Sequence, residues 1–379
     1  LPMNHTDLTT LADNAINGTT IDAETALSIL TDASIDLLDL IHAAFQVRKH
    51  YFGREVAIHI LNNAANGMCP EDCNYCAQAK GSEADIDSYG MKKDDEIIAE
   101  ADKAVAGGAF RYCMVYAGRG PTPSRVAHIS NLIKTIKTKH PQLEICVSAG
   151  LMDADATKTL KAAGLDRMNH NLNTSASLYG EICSTHTYQD RLDTLTNAQE
   201  VGLEVCSGII VGMGERPQDI IEVAQKLAEL DAKSIPVNFF LPIEGTALTE
   251  RQGSKYLTPE YCLRILCMFR LINPKAEIRA AAGREYHLKD LEALSLYPAN
   301  SLFLQGYLNT LGNTDAKTLC MIQDAGFTIK SDEPLDEVIA RAPKINTENV
   351  DTKSDIHLKD LNALRPTKCG TPQNQTMEV

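Results

Sequence analysis

The sequence predicts an α/β protein, a (β/α)8 TIM-type barrel with an N-terminal helical extension and a polar, flexible C-terminal tail. Three observations predict it. Eight short, apolar, β-rich runs are spread along the chain, amphipathic stretches with helical spacing separate them, and 379 residues accommodate a barrel of about 250 residues with appendages. The expected division is a helical extension over 1–50, the barrel over 51–330 and the extension over 331–379. A doubly wound open sheet is the alternative that strand count alone leaves open.

Taken in order, residues 1–50 read as helices outside the barrel, with "TTIDAETALSILT" opening one of them at a Thr or Asp cap. The strands follow at "AIHILNN" (57–63), "FRYCMVYA" (110–117), "EICVSAG" (144–150) and "RMNHNLNT" (167–174). Four more are "EVCSGIIVGM" (204–213), "SIPVNFFLP" (234–242), "EIRAAAG" (277–283) and "SLFLQGYL" (301–308). Between them, stretches such as "DDEIIAEADKAVAGG" and "RPQDIIEVAQKLAEL" repeat apolar residues at three and four and carry acidic starts or glycine stops. From about residue 331 the chain is polar with little periodicity. "HLKDLNAL" at 357–364 echoes "HLKDLEAL" at 287–294, a single echo too short to be a repeat.

The chain is 44% hydrophobic and 23% charged with a net charge of −14, and no Lys/Arg cluster offers phosphates a footprint, so no nucleic-acid partner is expected. No run of 18 apolar residues occurs, so no membrane span is expected. The first residues, from Leu1, hold no apolar signal core and no Arg-rich amphipathic helix. A reducing, cytoplasmic setting is expected, a trimmed mitochondrial leader remaining open, and eleven cysteines then read as thiols or metal ligands.

Three of them lie in "MCPEDCNYCAQAK": Cys69, Cys73 and Cys76. A structural zinc site would want a fourth ligand, but no second CxxC or HxxxH pair follows, and "PEDCNY" is too polar for core packing. Soft thiolates also select iron–sulfur clusters, and three of them on four irons leave one iron open to bind a small molecule. A second set lies in mid-strand, where barrels usually hold Val, Ile or Leu: Cys113, Cys146, Cys206 and Arg279. A guanidinium inside a barrel needs an anion, and a second cluster with three thiolates would supply one.

The CxxxCxxC spacing resembles the radical S-adenosylmethionine (SAM) superfamily. The resemblance implies a [4Fe–4S] cluster on Cys69, Cys73 and Cys76, whose free iron chelates SAM and whose electron cleaves it to a 5′-deoxyadenosyl radical. Further stretches extend it, in order: "RYCMVYAGRGP", "EICVSAGLM", "AGLDRMNHNLNTS", "THTYQDRLDTL", "VCSGIIVGMGE", "SIPVNFFLPIEGTAL", "EIRAAAGRE" and "YPANSLFLQGYLNT". Across roughly 20–330 the chain is similar to the superfamily's sulfur-inserting branch. There the radical takes hydrogens from two carbons of dethiobiotin, and an auxiliary [2Fe–2S] cluster gives its sulfur. The resemblance places that cluster, and the sulfur chemistry, on Cys113, Cys146, Cys206 and Arg279.

It also assigns the SAM site to Tyr75, Asn171, Asn173, Arg191 and Ile210, with Arg191 meeting the SAM carboxylate, and the substrate site to Asn169, Asn171 and Asn238. On alternation, Asn169, Asn171 and Asn173 share one strand face, where amides suit a neutral ureido ring and ribose hydroxyls. Without the resemblance they would read as strand-end caps. Many members carry Asp where this chain has Asn173. A homodimer and a flavodoxin or ferredoxin electron donor are implied in the same way. Rival readings are a radical SAM mutase of another small molecule, which need not hold the second cluster, and a non-enzymatic iron–sulfur carrier. "GIIVGMGE" is a poor dinucleotide signal. His170 reads as scaffold, and Cys183, Cys262, Cys267, Cys320 and Cys369 receive no role, the pair in "YCLRILCMF" reading as core.

Overall fold

The computed structural model describes residues 3, 5–252, 257–348 and 359–360. Three helices come first: α1 (His5–Ile16), α2 (Ala23–Thr31) and α3 (Leu37–Phe52). Asp22 caps α2 by accepting from the Thr25 amide at 2.8 Å, and Asp36 caps α3. Gly53 stops α3 with φ 56°, a conformation that glycine tolerates best.

Strands and helices then alternate as the periodicity requires. β1 (Glu55–Ala65) leads to α4 (Asp94–Ala106), β2 (Arg111–Tyr116) to α5 (Pro123–Lys139), and β3 (Glu144–Ser148) to α6 (Ala154–Ala162). After β4 (Arg167–Asn169) come α7 (Tyr179–Ile182) and α8 (Tyr188–Glu200), and after β5 (Glu204–Cys206) and β6 (Ile209–Val211) comes α9 (Pro217–Glu229). β7 (Ser234–Phe239) is followed by α10 (Ala247–Gln252) and α11 (Pro259–Ile272). β8 (Glu277–Ala280), α12 (Arg284–Leu288), a 3₁₀ turn and β9 (Ser301–Phe303) complete the repeat.

All neighbouring staves pair in parallel, and β9 returns to β1, so the sheet closes. The open-sheet alternative falls on that pairing. Beyond the barrel lie β10 (Thr310–Leu311), α13 (Asp315–Asp324), β11 (Thr328–Ile329), which extends the start of β1, α14 (Leu335–Glu348) and β12 (Lys359–Asp360), which pairs with β10.

Three expectations need correction. "EVCSGIIVGM" is two strands making one stave: β5 and β6 both pair with β7, and the chain breaks at Ser207–Gly208. A Cβ on Gly208 would lie 1.9 Å from the Pro236 carbonyl oxygen, so only glycine permits that approach. "RMNHNLNT" is strand only to Asn169, because Asn173 turns to φ 68°. The region after 331 is not uniformly a polar tail, since α14 buries Leu335, Val338 and Ala342 in the main core. The sequence signal there was an i, i+3, i+7 stripe among charges. The 357–364 echo, apart from β12, and Cys369 lie outside the described residues.

The inward-facing residues form layers, because side chains two apart on a strand share a face. β2 presents Arg111, Cys113 and Val115, β3 presents Glu144, Cys146 and Ser148, and in register β1 presents His59 and Leu61. The layer nearest the strands' N-terminal ends is charged. Glu277, 7% exposed, is its centre: Oε1 accepts from Arg279 at 2.7 Å, Arg111 at 3.0 Å, Ser234 at 2.9 Å and His59 Nε2 at 2.9 Å. A carboxylate only accepts here, so His59 carries its proton on Nε2, and Nδ1 accepts from Arg111 at 3.3 Å. Burial holds that imidazole neutral, well below its usual pKa. Arg111 reaches on to Glu144 at 2.5 Å, Glu144 to Arg167 at 3.2 Å, and Arg167 to Glu204 at 2.7 Å.

Arg111 and the other cations near it keep Glu277 ionised, well below the usual carboxylate range, against the opposing effect of burial. Its stabilising contribution is therefore complete above the ordinary Glu pKa and drains as pH falls through the lower folded value. Glu277→Ala leaves two buried guanidinium groups without their shared anion. We expect a loss of about 3–5 kcal/mol in urea unfolding at pH 7. A loss below about 1 kcal/mol would show that the network is dispensable.

Candidate active site

The site sits where the C-terminal ends of the strands open. The cysteine loop leaves β1 and is folded on its own backbone: Cys76 N–H donates to Cys73 O at 3.0 Å, Cys69 N–H to Gln78 O at 3.3 Å, and Lys80 N–H to Glu71 O at 2.7 Å. Cys69 and Cys76 are half-buried and Cys73 is buried, all as free thiols. Burial raises the pKa of Cys69 and pushes Cys76 up to about 11, so without a cation these sulfurs keep their protons. Three convergent thiols that only a positive centre would ionise fit the open-iron cluster the spacing implies.

The polar residues between the cysteines bind a second loop, 183–186. Asp72 accepts from the Ser184 amide at 2.9 Å, the Thr185 amide at 3.2 Å and the Ser184 hydroxyl. Glu71 accepts from Thr185 Oγ1 at 2.6 Å, His186 Nδ1 at 2.6 Å and Arg119 at 3.1 Å. This brings Cys183 Sγ to 3.7 Å from Cys73 Sγ. Of these two sulfurs Cys73 keeps the proton: its hydrogen bond to Cys183 and its burial raise it, whereas hydrogen bonds from Cys73, His186 and Thr185 lower Cys183.

Between that loop and the strand ends lies a cleft with about 1010 Å³ of empty space including its open mouth, at the upper end for small-molecule sites. Tyr75, Cys76, Asn169, Asn171, Asn173, Arg191, Ile210 and Asn238 all line it. The three asparagines meet there although strand alternation stops at Asn169. The left-handed turn at Asn173 replaces it, and that amide donates to Tyr75 Oη at 2.6 Å, leaving its oxygen as the ligand acceptor. An Asp at this position could not donate this hydrogen bond.

Asn238 is 4% exposed and is oriented by donating to Ile209 O at 3.0 Å and accepting from the Ala282 amide at 3.2 Å. Arg191, 7% exposed, donates to Tyr179 Oη, to Asn171 O at 2.6 Å and to His186 Nε2 at 2.9 Å. Among the described residues no carboxylate pairs with it, so a ligand carboxylate fits. In "GIIVGMGE" the Gly212 and Met213 amides donate to Glu215 at 2.6 and 2.8 Å, so they are not a phosphate cradle.

Beneath the cleft, Cys113, Cys146 and Cys206 pack together with Leu61 at the middle layer of the barrel. Their exposures are 4%, 1% and 1%. Asn169 connects cleft and sulfurs by donating to Cys206 Sγ at 3.3 Å. Arg279 lies 3.8 Å from Cys206 Sγ, and its buried Nε has no hydrogen-bond partner. Three buried thiols beside an unsatisfied guanidinium N–H fit a small anionic sulfur cluster. One expectation fails: Arg279 does not depend on thiolates for its counter-charge, because Glu277 supplies it from the same strand face.

Sequence reasoning missed Glu277, His59, Arg111 and Ser234, although the alternation of Glu277 with Arg279 was a usable signal. It also missed the pair Cys183-Ser-Thr-His186, whose CxxH spacing is that of a metal-ligand pair. Cys262 and Cys267 are fully buried on α11 as core residues. His170 is buried and absent from the cleft lining.

Among the described residues no helix is long and apolar enough to cross a membrane. Residues 66–227 match the Radical SAM superfamily and 236–328 the Biotin and Thiamin Synthesis associated domain. Biotin synthase of Magnetococcus marinus is 55% identical over 323 residues, covering 85% of this chain and 99% of the relative. That of Acaryochloris marina is 51% identical over 316 residues, 83% of this chain and 90% of the relative. In fold, the chain resembles methylornithine synthase, with TM-score 0.72, 22% identity and coverage of 88% of this chain and 99% of that one. It also resembles the FeFe-hydrogenase maturase of Carboxydothermus hydrogenoformans, with TM-score 0.71, 14% identity and coverage of 92% and 87%. The superfamily's [4Fe–4S] cluster and SAM therefore belong to this chain's chemistry. With relatives at this identity spanning most of its length, the chain belongs to the biotin synthase family of sulfur-inserting radical SAM enzymes.

Proposed function

We propose that this protein converts dethiobiotin to biotin, with Cys69, Cys73 and Cys76 holding a [4Fe–4S] cluster and Cys113, Cys146, Cys206 and Arg279 holding an auxiliary [2Fe–2S] cluster. The observation that carries the reading is the presence of two separate thiol trios in one barrel, with an asparagine- and arginine-bearing cleft that Cys76 lines and Asn169 connects to Cys206. When bound, the first cluster with SAM supplies a hydrogen-abstracting 5′-deoxyadenosyl radical, and the second supplies sulfur. The chain's own residues do the rest. Arg191 binds the SAM carboxylate, Asn171 and Asn173 accept from ribose hydroxyls, and Ile210 and Tyr75 flank the base. Asn169 and Asn238 orient the ureido ring, and Asn169 at once touches Cys206, which sets the substrate directly above the sulfur source. Apolar walls from Phe239, Phe240 and Val115 exclude water that would quench a radical.

Arg279 contributes charge and direction. Glu277 fixes its head with Nη1 3.8 Å from Cys206 Sγ. A guanidinium has no lone pair for iron, so Arg279 would hold the cluster by donating hydrogen bonds, or as a ligand only after losing a proton, and either hold is weaker than that of a fourth thiolate. A flavodoxin or ferredoxin electron donor and a homodimer belong to the same proposal.

Anaerobic turnover with dethiobiotin, SAM and reductant should give biotin and 5′-deoxyadenosine, from protein reconstituted to about six irons per chain. Four irons and no biotin would favour a mutase-like relative, and absence of 5′-deoxyadenosine would favour an electron carrier. Cys73→Ala should abolish SAM cleavage, whereas Cys146→Ala should keep the first cluster and its spectrum but make no biotin; normal biotin from the latter contradicts the sulfur-donor role. Arg191→Ala removes a charge-assisted pair worth about 1.5–3 kcal/mol, so SAM should bind roughly ten- to a hundredfold more weakly in equilibrium titration. Unchanged SAM affinity would remove Arg191 from the site.

A further inference from the structure

We propose that the cluster-free chain holds one thiophilic divalent cation, Zn²⁺ in the first instance, on Cys73, Cys183 and His186. The ligating atoms of these three buried residues all lie within 4.8 Å of one another. Their spacing is that of a tetrahedral ion. Two sulfurs each ~2.3 Å from such an ion stand about 3.8 Å apart, and a sulfur and an imidazole nitrogen about 3.5 Å. Cys73 and Cys183 are 3.7 Å apart, and the two ring nitrogens of His186 lie 3.1 and 4.0 Å from Cys183 Sγ. The residues come from two loops that are already fastened together, so little ordering is left for the ion to do. Carboxylates stand beside the ligands: Asp72 Oδ1 is 3.2 Å from Cys183 Sγ and Glu71 Oε2 is 2.6 Å from His186 Nδ1. Either is placed to complete the fourth position.

Loading releases to solvent the one proton that Cys73 holds toward Cys183. It moves the imidazole proton from Nδ1, which takes the ion, to Nε2, and so breaks the Arg191 contact there. No electron is transferred. Cys73 is the shared residue, so this ion and the [4Fe–4S] cluster exclude each other, and zinc then competes with cluster assembly. The exclusion rests on the cluster assignment of Cys73 made above, whereas the ion site itself stands on the cluster-free chain alone.

The test is titration of the anaerobic, cluster-free full chain with Co²⁺ and then Zn²⁺ in competition with a chelator. One Co²⁺ per chain with thiolate charge-transfer and tetrahedral d–d absorption is expected. Changes around metal ligands cost on the order of ten- to a hundredfold in affinity, so Cys183→Ala and His186→Ala should each weaken binding at least about tenfold. Cys69→Ala and Cys76→Ala should bind as the parent does. The reverse pattern puts the ion on the Cys69, Cys73 and Cys76 trio and overturns the proposal, as does absence of binding. Reconstitution of the [4Fe–4S] spectrum in Cys183→Ala shows that this variant folds. Zinc loaded beforehand should slow that reconstitution in the parent but not in Cys183→Ala. A chain that shows the zinc pattern but never takes up a cluster would defeat the proposed function while leaving the ion site intact.

Discussion

The inside of this barrel depends on one buried carboxylate. Glu277 gathers Arg279, Arg111, His59 and Ser234 from four staves, and without it Arg279 would lose its carboxylate partner and Arg111 would keep only Glu144. Such a network is weak evidence for net stability, because desolvation offsets most of the attraction. What it fixes is position. Arg279 is held from below by an anion on its own strand, which sets its Nη1 3.8 Å from Cys206 Sγ.

The entrance depends on a different pair of carboxylates. Glu71 and Asp72 sit between cysteines, yet each reaches the 183–186 loop and accepts several hydrogen bonds there. They convert a mobile kind of segment, a long loop after a strand, into a bracket with fixed sulfurs. The same bracket carries Arg191 at one remove through His186, so ligand charge, cluster sulfur and loop geometry are linked within a few hydrogen bonds. A barrel shared at low identity with methylornithine synthase and a hydrogenase maturase shows how little of this belongs to the fold. The chemistry lies in which residues occupy successive inward layers.

Much of this was legible. All eight staves lie where short apolar runs placed them, because strand alternation and helical periodicity are local properties of the chain. Asn171 and Asn173 show the limit. They reach the cleft, as alternation suggested, but through a left-handed turn after the strand, which a period-two argument cannot see. Helix α14 was read as tail because its stripe is narrow among charges, and only packing on the core makes it a helix.

The sequence by itself determined the strand order, the CxxxCxxC loop and the residue types at each inward position, since these follow from spacing and side-chain chemistry. Tertiary structure alone decided that the ring closes, that Glu277 rather than sulfur balances Arg279, and that Cys183 and His186 stand beside Cys73. Closure and the Cys73 neighbourhood join residues far apart in the chain, and although Glu277 and Arg279 alternate on one strand, the groups that hold Glu277 in place come from other staves. Such proximity is set by how the staves and loops pack around the barrel axis, which no local pattern encodes.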